Sequence, residues 1–189
     1  MNKKKVFRVT MLLCAALLLT ALCGCGSGDT AGTPDFYVVF GCTEIPSSQA
    51  QEALSEKLES IVGDVNGDGE SIVTVEYIGI SNDSNSVTDS GRLTVLLSEE
   101  QYTLYLLSDE PNEDFAGISS NFVSQEYFDD LSEYGITPDG DQSARVTISG
   151  CPILEEMGLG EIDFYAHIID RGNSTDTDSA IKVIQALLG

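Results

Sequence analysis

From Phe36 to Phe40 the chain runs Phe-Tyr-Val-Val-Phe with no polar alternation, and an aromatic, β-branched run of this kind predicts a central strand buried on both faces. The period then changes. Ala50, Leu54, Leu58, Ile61 and Val62 fall on one face of a helix, Pro46 turns the chain into it, and Ser48 with Gln51 has capping-box spacing. A glycine-rich turn separates this helix from a second predicted strand over 72–80. The polar stretch 81–91 leads to a short helical segment carrying Leu93, Leu96 and Leu97, and a third strand follows over 102–107.

Beyond an acidic loop, Ser124 caps a predicted helix over 124–134, Val123 can staple onto Phe128, and Gly135 ends the segment. Two more strands are expected, 145–149 and 162–169. The first alternates Arg, Val, Thr, Ile, Ser, which leaves one side wet and places it near an edge. Ala180, Ile181, Ile184, Leu187 and Leu188 make the apolar stripe of a last helix over 178–188. Strands that alternate with helices call for right-handed crossovers between parallel neighbours. The expected fold is therefore α/β: a three-layer domain with a mostly parallel sheet of about five strands and helices on both faces. Residues 35–189 are enough for one such domain with its own core.

The amino-terminal residues follow a different pattern. Lys3, Lys4, Lys5 and Arg8 precede an apolar run from Val9 to Leu22, the layout of a secretory signal peptide and too short for a comfortable bilayer span of about 20 residues. The run ends in Leu22-Cys23-Gly24-Cys25, which resembles the lipobox of bacterial lipoproteins. That resemblance implies a signal peptide over 1–24, cleavage after Gly24, and lipid on the thiol of Cys25; plain secretion, with Cys25 unmodified, is the alternative. Two or more acyl chains would hold the protein on the outer face of the cell membrane. Residues 25–34 then form the lipidated cysteine and a flexible tether of at most about 30 Å.

Charge narrows the choice of partners. Beyond residue 24 there are 31 acidic and five basic side chains, a net of −26. Such a charge repels nucleic acid and anionic lipid and favours cations. With Cys14 and Cys23 in the signal and Cys25 lipidated, Cys42 and Cys151 remain, and an extracytoplasmic location permits a disulfide between them. Each follows a glycine at the end of a predicted strand.

Asp64-Val-Asn66-Gly-Asp68-Gly-Glu70 repeats the first half of a calcium loop, with oxygen side chains at positions 1, 3 and 5 and glycine at position 6. Position 12 is Val75 and a strand follows, so the segment departs from the EF-hand and looks like the helix-loop-strand variant. Asp64, Asn66 and Asp68 would supply side chains and Glu70 a carbonyl to a structural calcium ion; a solvated turn uses the same dipeptides. The order and lengths of the elements between Phe36 and Tyr134 resemble the amino-terminal lobe of type 2 solute-binding lipoproteins. The chain is roughly half of what two lobes require, so a hinged transport cleft does not carry over.

Catalytic patterns are sparse. There is no Gly-x-Ser-x-Gly elbow, Cys-x-x-Cys pair or phosphate-binding glycine loop. His167 could activate Cys151, although a histidine between Ala166 and Ile168 reads as a packed strand residue. The expectation is a membrane-tethered binding or interaction module for a small polar ligand or an envelope protein. Ligand loops are expected at the carboxyl edge of the sheet, over 43–47, 81–89, 108–121 and 152–160. The alternative is an extracytoplasmic hydrolase using Asp109, Glu110, Glu113 and Asp114.

Overall fold

The apolar run at Phe36 becomes strand β1 (Phe36–Cys42), buried along almost its whole length. The computed structural model describes residues 32–79, 86–108 and 128–189. Helix α1 (Ser48–Val62) starts where the Ser47 hydroxyl accepts a hydrogen bond from the Ala50 N–H, one residue earlier than the predicted cap, and buries Leu54, Leu58 and Val62. Strand β2 (Val73–Gly79), helix α2 (Ser86–Ser98) and strand β3 (Leu104–Ser108) complete the predicted first half. Then come a 3₁₀ turn (Leu131–Tyr134), strand β4 (Val146–Ile148), a short helix α3 (Pro152–Glu156), strand β5 (Phe164–Ile168) and helix α4 (Ser174–Leu188). The sequence pattern had not suggested α3. Of the helix expected over 124–134, residues 124–127 lie outside the described residues, and Leu131–Tyr134 is a 3₁₀ turn.

The five strands form one sheet in the order β2-β1-β3-β5-β4. β1 lies parallel to β2 and to β3, with Phe36 opposite Val73 and Val38 opposite Leu104. β5 runs antiparallel to both β3 and β4. The sheet is thus mixed, and the expectation of a mostly parallel sheet fails in its second half. β4 and β5 are neighbours joined through the short helix α3, and a pair of adjacent strands can be joined antiparallel without a crossover over the sheet face.

Alternate strand positions feed two hydrophobic clusters. Phe36, Val38, Phe40, Leu104, Leu106, Phe164, Ala166 and Ile168 join the first, together with side chains of α1, α3 and α4. Val39, Tyr105 and Leu107 join the second, with Leu93, Leu96 and Leu97 of α2 and with Phe128. Because the side-chain period of a strand is two, these memberships assign the clusters to opposite sheet faces. In the first cluster the Phe40 ring lies 4.8 Å from that of Phe164 and 5.6 Å from that of Tyr77, which ties β1 to β5 and β2. The central strands β1 and β3 are buried nearly throughout, whereas the edge strands β2 and β4 keep half-exposed positions.

Candidate functional site

The strand starts of β1, β2 and β3 and the end of β5 lie at one edge of the sheet, and the chain segments there are tied together by a carboxylate. Asp35, just before β1, is 7 % exposed. Its Oδ1 accepts hydrogen bonds from the Val65 N–H (2.8 Å) and the Asn66 N–H (2.9 Å), and its Oδ2 accepts from the Ile72 N–H (2.9 Å). The Asp35 N–H in turn donates to the Ile72 carbonyl at 2.8 Å. Burial alone would raise the Asp35 pKa, but the three donors outweigh it and hold the group below the usual carboxylate value. Asp35 pins the loop between α1 and β2 to the start of β1. The sequence reading missed it because a lone aspartate after a proline is also what a tether would contain.

The pinned loop is the segment with the calcium-loop pattern. Asp64 turns inward: its Oδ1 accepts from the Gly67 N–H (2.7 Å) and its Oδ2 from the Gly69 N–H (2.9 Å). Asn66 Oδ1 accepts from the Asp68 N–H (2.9 Å), and Asp68 Oδ1 accepts from the Glu70 N–H (3.0 Å). Gly67 and Gly69 have φ of 77° and 94°, a backbone conformation open to glycine, and this is what lets the loop curl so tightly. Each of these oxygens accepts one backbone donor and keeps a lone pair, so the chemistry of the donor set suits a hard cation. Among the described residues, no three His, Cys, Asp or Glu side chains converge as a metal-holding group. The amide of Asn66 would be the middle ligand in this pattern, and its Nδ2 donates to the Thr33 carbonyl at 2.9 Å.

Beside this loop lies a cleft of about 350 Å³. Asp35, Tyr37 and Asn66 form one wall, and Gln101 and the start of α4, with Thr175 and Asp176, form the other. The α4 wall is built by a cap: Asn173 Oδ1 accepts from the Thr175 N–H at 3.2 Å, while Asn173 Nδ2 donates to Asp176 Oδ2 at 2.8 Å. Burial raises the Asp176 pKa, against the lowering effect of the Asn173 amide. The Tyr37 ring is held edge-on against Tyr102, with centroids 5.9 Å apart. Reading the last helix from 178 overlooked this wall. Asn173-Ser-Thr-Asp176 has cap spacing, with an acidic residue at the third helical position, and that signal could have found it.

This edge is opposite to the one where ligand loops were expected. Of those loops, 81–85 and 109–121 lie outside the described residues, as do Asp109, Glu110, Glu113, Asp114 and the lipid-carrying Cys25. Cys42 and Cys151 are both buried as free thiols in the first hydrophobic cluster. The expected bridge is not formed. Cys42 ends β1 and Cys151 caps α3 just beyond β4, with β3 and β5 lying between those two strands in the sheet. The Cys42 thiol instead donates to the Glu44 carbonyl at 3.1 Å, and burial pushes its pKa up to about 12.

His167 and Cys151 do not meet. His167 stacks on Phe128 of the second cluster, with centroids 4.3 Å apart, and its Nδ1 lies 2.8 Å from the Ala144 carbonyl, whereas Cys151 belongs to the first cluster. Burial lowers the His167 pKa to about 4. Among the described residues no helix is long and apolar enough to cross a membrane. No protein family, no curated protein and no solved structure matches this chain.

Proposed function

We propose that the protein is a membrane-anchored extracytoplasmic lipoprotein whose folded part is a binding module, and that the cleft beside Asp35 is where it binds. The observation that carries this reading is the cleft itself: about 350 Å³, walled by hydroxyl, amide and carboxylate groups on rigid element ends. Its volume lies within the ~300–1,000 Å³ of small-molecule sites. Pro34 also lines it, so the tether joins the domain at the rim of the cleft. If Cys25 carries lipid, the cleft stays within about 30 Å of the membrane surface. The two clusters on alternate strand positions support a three-layer arrangement, with α1 and α4 packed together on one face and α2 on the other.

The loop from Asp64 to Glu70 is the proposed calcium site of this module. Asp64, Asn66 and Asp68 would hold the ion with side-chain oxygens and Glu70 with its carbonyl. The ion would brace the turn between α1 and β2, which forms part of the cleft wall through Val65 and Asn66. A structural role is favoured because the donors are tied up with one another and with the backbone.

Both parts are tested on the full-length chain. Millimolar calcium raises the melting temperature, chelator reverses the rise, and Asp64→Ala with Asp68→Ala removes it; a melt indifferent to calcium ends the metal reading. Backbone amide shifts recorded against a library of small polar fragments should move at Asp35, Asn66 and Thr175. Shifts confined to other parts of the domain would end the cleft reading.

A further inference from the structure

We propose that Asn66 is a site of self-modification, at which the Gly67 nitrogen closes on the Asn66 side chain, ammonia leaves, and the resulting aspartate or isoaspartate lets go of the segment that leads into β1. The folded loop holds this reaction back, and its opening sets the rate.

The chemistry starts from the residue pair. Asn66 is the one asparagine of the chain that glycine follows. Glycine leaves its backbone nitrogen unshielded, and at Gly67 even an added Cβ would meet nothing within 4 Å. Asn66 itself is exposed, within reach of water. In the first step the Gly67 nitrogen passes its proton to water and bonds to the Asn66 side-chain carbon. The bond from that carbon to Nδ2 breaks, and the amide nitrogen takes a proton from water and leaves as ammonia. Water then opens the cyclic imide at either carbonyl. One opening gives aspartate; the other routes the main chain through the side-chain carbon and gives isoaspartate. Nothing is oxidised or reduced, and water is the only co-reactant.

The loop resists the first step. The Gly67 N–H that must be lost is donated to Asp64 Oδ1 at 2.7 Å, and the amide that must leave donates to the Thr33 carbonyl at 2.9 Å. The Asp64 carboxylate also opposes the negative charge that the attacking nitrogen takes on. Breaking two hydrogen bonds of ordinary net strength lowers the population of reactive loop by about tenfold or more.

The products undo the contacts that restrained them. In place of the donating amide, a carboxylate oxygen faces the Thr33 carbonyl, and two acceptors repel. Isoaspartate also lengthens the main chain beside the Val65 and Asn66 N–H groups that donate to Asp35 Oδ1. The segment before β1 thus loses its hold at Thr33 and, in the second product, its hold at Asp35.

The test is incubation of the full-length chain with chelator in heavy-oxygen water, beside a sample unfolded in guanidinium, followed by peptide mapping in a mass spectrometer. Each conversion replaces an amide by a carboxylate that carries the heavy oxygen. The expected result is label at Asn66 ahead of every other asparagine in the unfolded sample, and label at Asn66 about tenfold or more slower in the folded one. An Asn66 that keeps its amide in the folded chain overturns the proposal, and equal folded and unfolded rates overturn the restraint by the loop. Asn66→Asp, which is the straight-chain product made directly and keeps the residue's shape, should speed hydrogen exchange several-fold at the Asp35 N–H, now bonded to the Ile72 carbonyl. Unchanged exchange there would show that the Asn66 amide does not secure the segment before β1, and the proposed release falls.

Discussion

Asp35 concentrates three backbone hydrogen bonds in one buried carboxylate, so its removal is felt at a distance. Asp35→Asn keeps the shape but turns an amide N–H₂ toward at least one backbone N–H, and it should cost about 1–3 kcal/mol, the usual penalty for a buried donor left unmatched. Chemical denaturation measures that loss, and hydrogen exchange at Val65, Asn66 and Ile72 should accelerate with it. The pH dependence has a definite sign. The folded pKa of Asp35 is depressed, so its contribution is complete above the ordinary aspartate value and fades as pH falls through the folded one. His167 acts over a higher range. Its pKa falls from 6.5 to about 4 in the fold, so the unfolded chain binds the extra proton first and stability declines as pH drops from about 6.5 to 4. The full shift corresponds to on the order of 3 kcal/mol. His167→Asn, which retains a donor for the Ala144 carbonyl, should flatten that slope in melts recorded across this range; an unchanged slope would show that His167 titrates normally.

At the level of elements, caps decide where helices begin, and at α4 they also build a wall of the cleft. Asn173→Ala should cost about 1 kcal/mol and loosen the first turn, seen as faster exchange at Thr175 with the helix interior unchanged. The apolar patterns of α1, β1, β3 and β5 were legible in the sequence because each buries a face whose period matches its backbone. β1, with aromatic and β-branched residues on both sides, declared itself a central strand. The start of α4 was read four residues late, since Ser174 to Thr177 are polar and belong to the helix only through the Asn173 cap. α3 was missed because five residues hold too few apolar positions to show a period; Pro152 at its first turn was the available signal.

For the whole molecule, a chain with 31 acidic and nine basic side chains, a net of −22, repels itself when folded. Raising monovalent salt from 10 to 150 mM, which shortens the Debye length from about 30 to 8 Å, should raise the melting temperature of the full-length chain. Calcium added at constant ionic strength should raise it further, and only that second rise should depend on Asp64 and Asp68. A calcium effect that monovalent salt reproduces in full would be screening. The position of the cleft is also a property of the whole. Asp35, Gln101 and Thr175 come from three distant stretches of chain, and nothing local to any of them marks a shared cleft.

By itself the sequence determined the types of the longer elements, the burial of β1 and β3, the acidic composition and the turn chemistry of the 64–70 loop, because each depends on residues a few positions apart. The tertiary structure decided the rest. The antiparallel pairing of β5 with β3 and β4 is set across the sheet rather than along the chain, the strand order puts β3 and β5 between β1 and β4, and the cleft comes from Asp35 gathering separate segments at the amino edge. These are outcomes of long-range pairing, in which a chain's partner lies many residues away and its identity is set by packing rather than by local pattern.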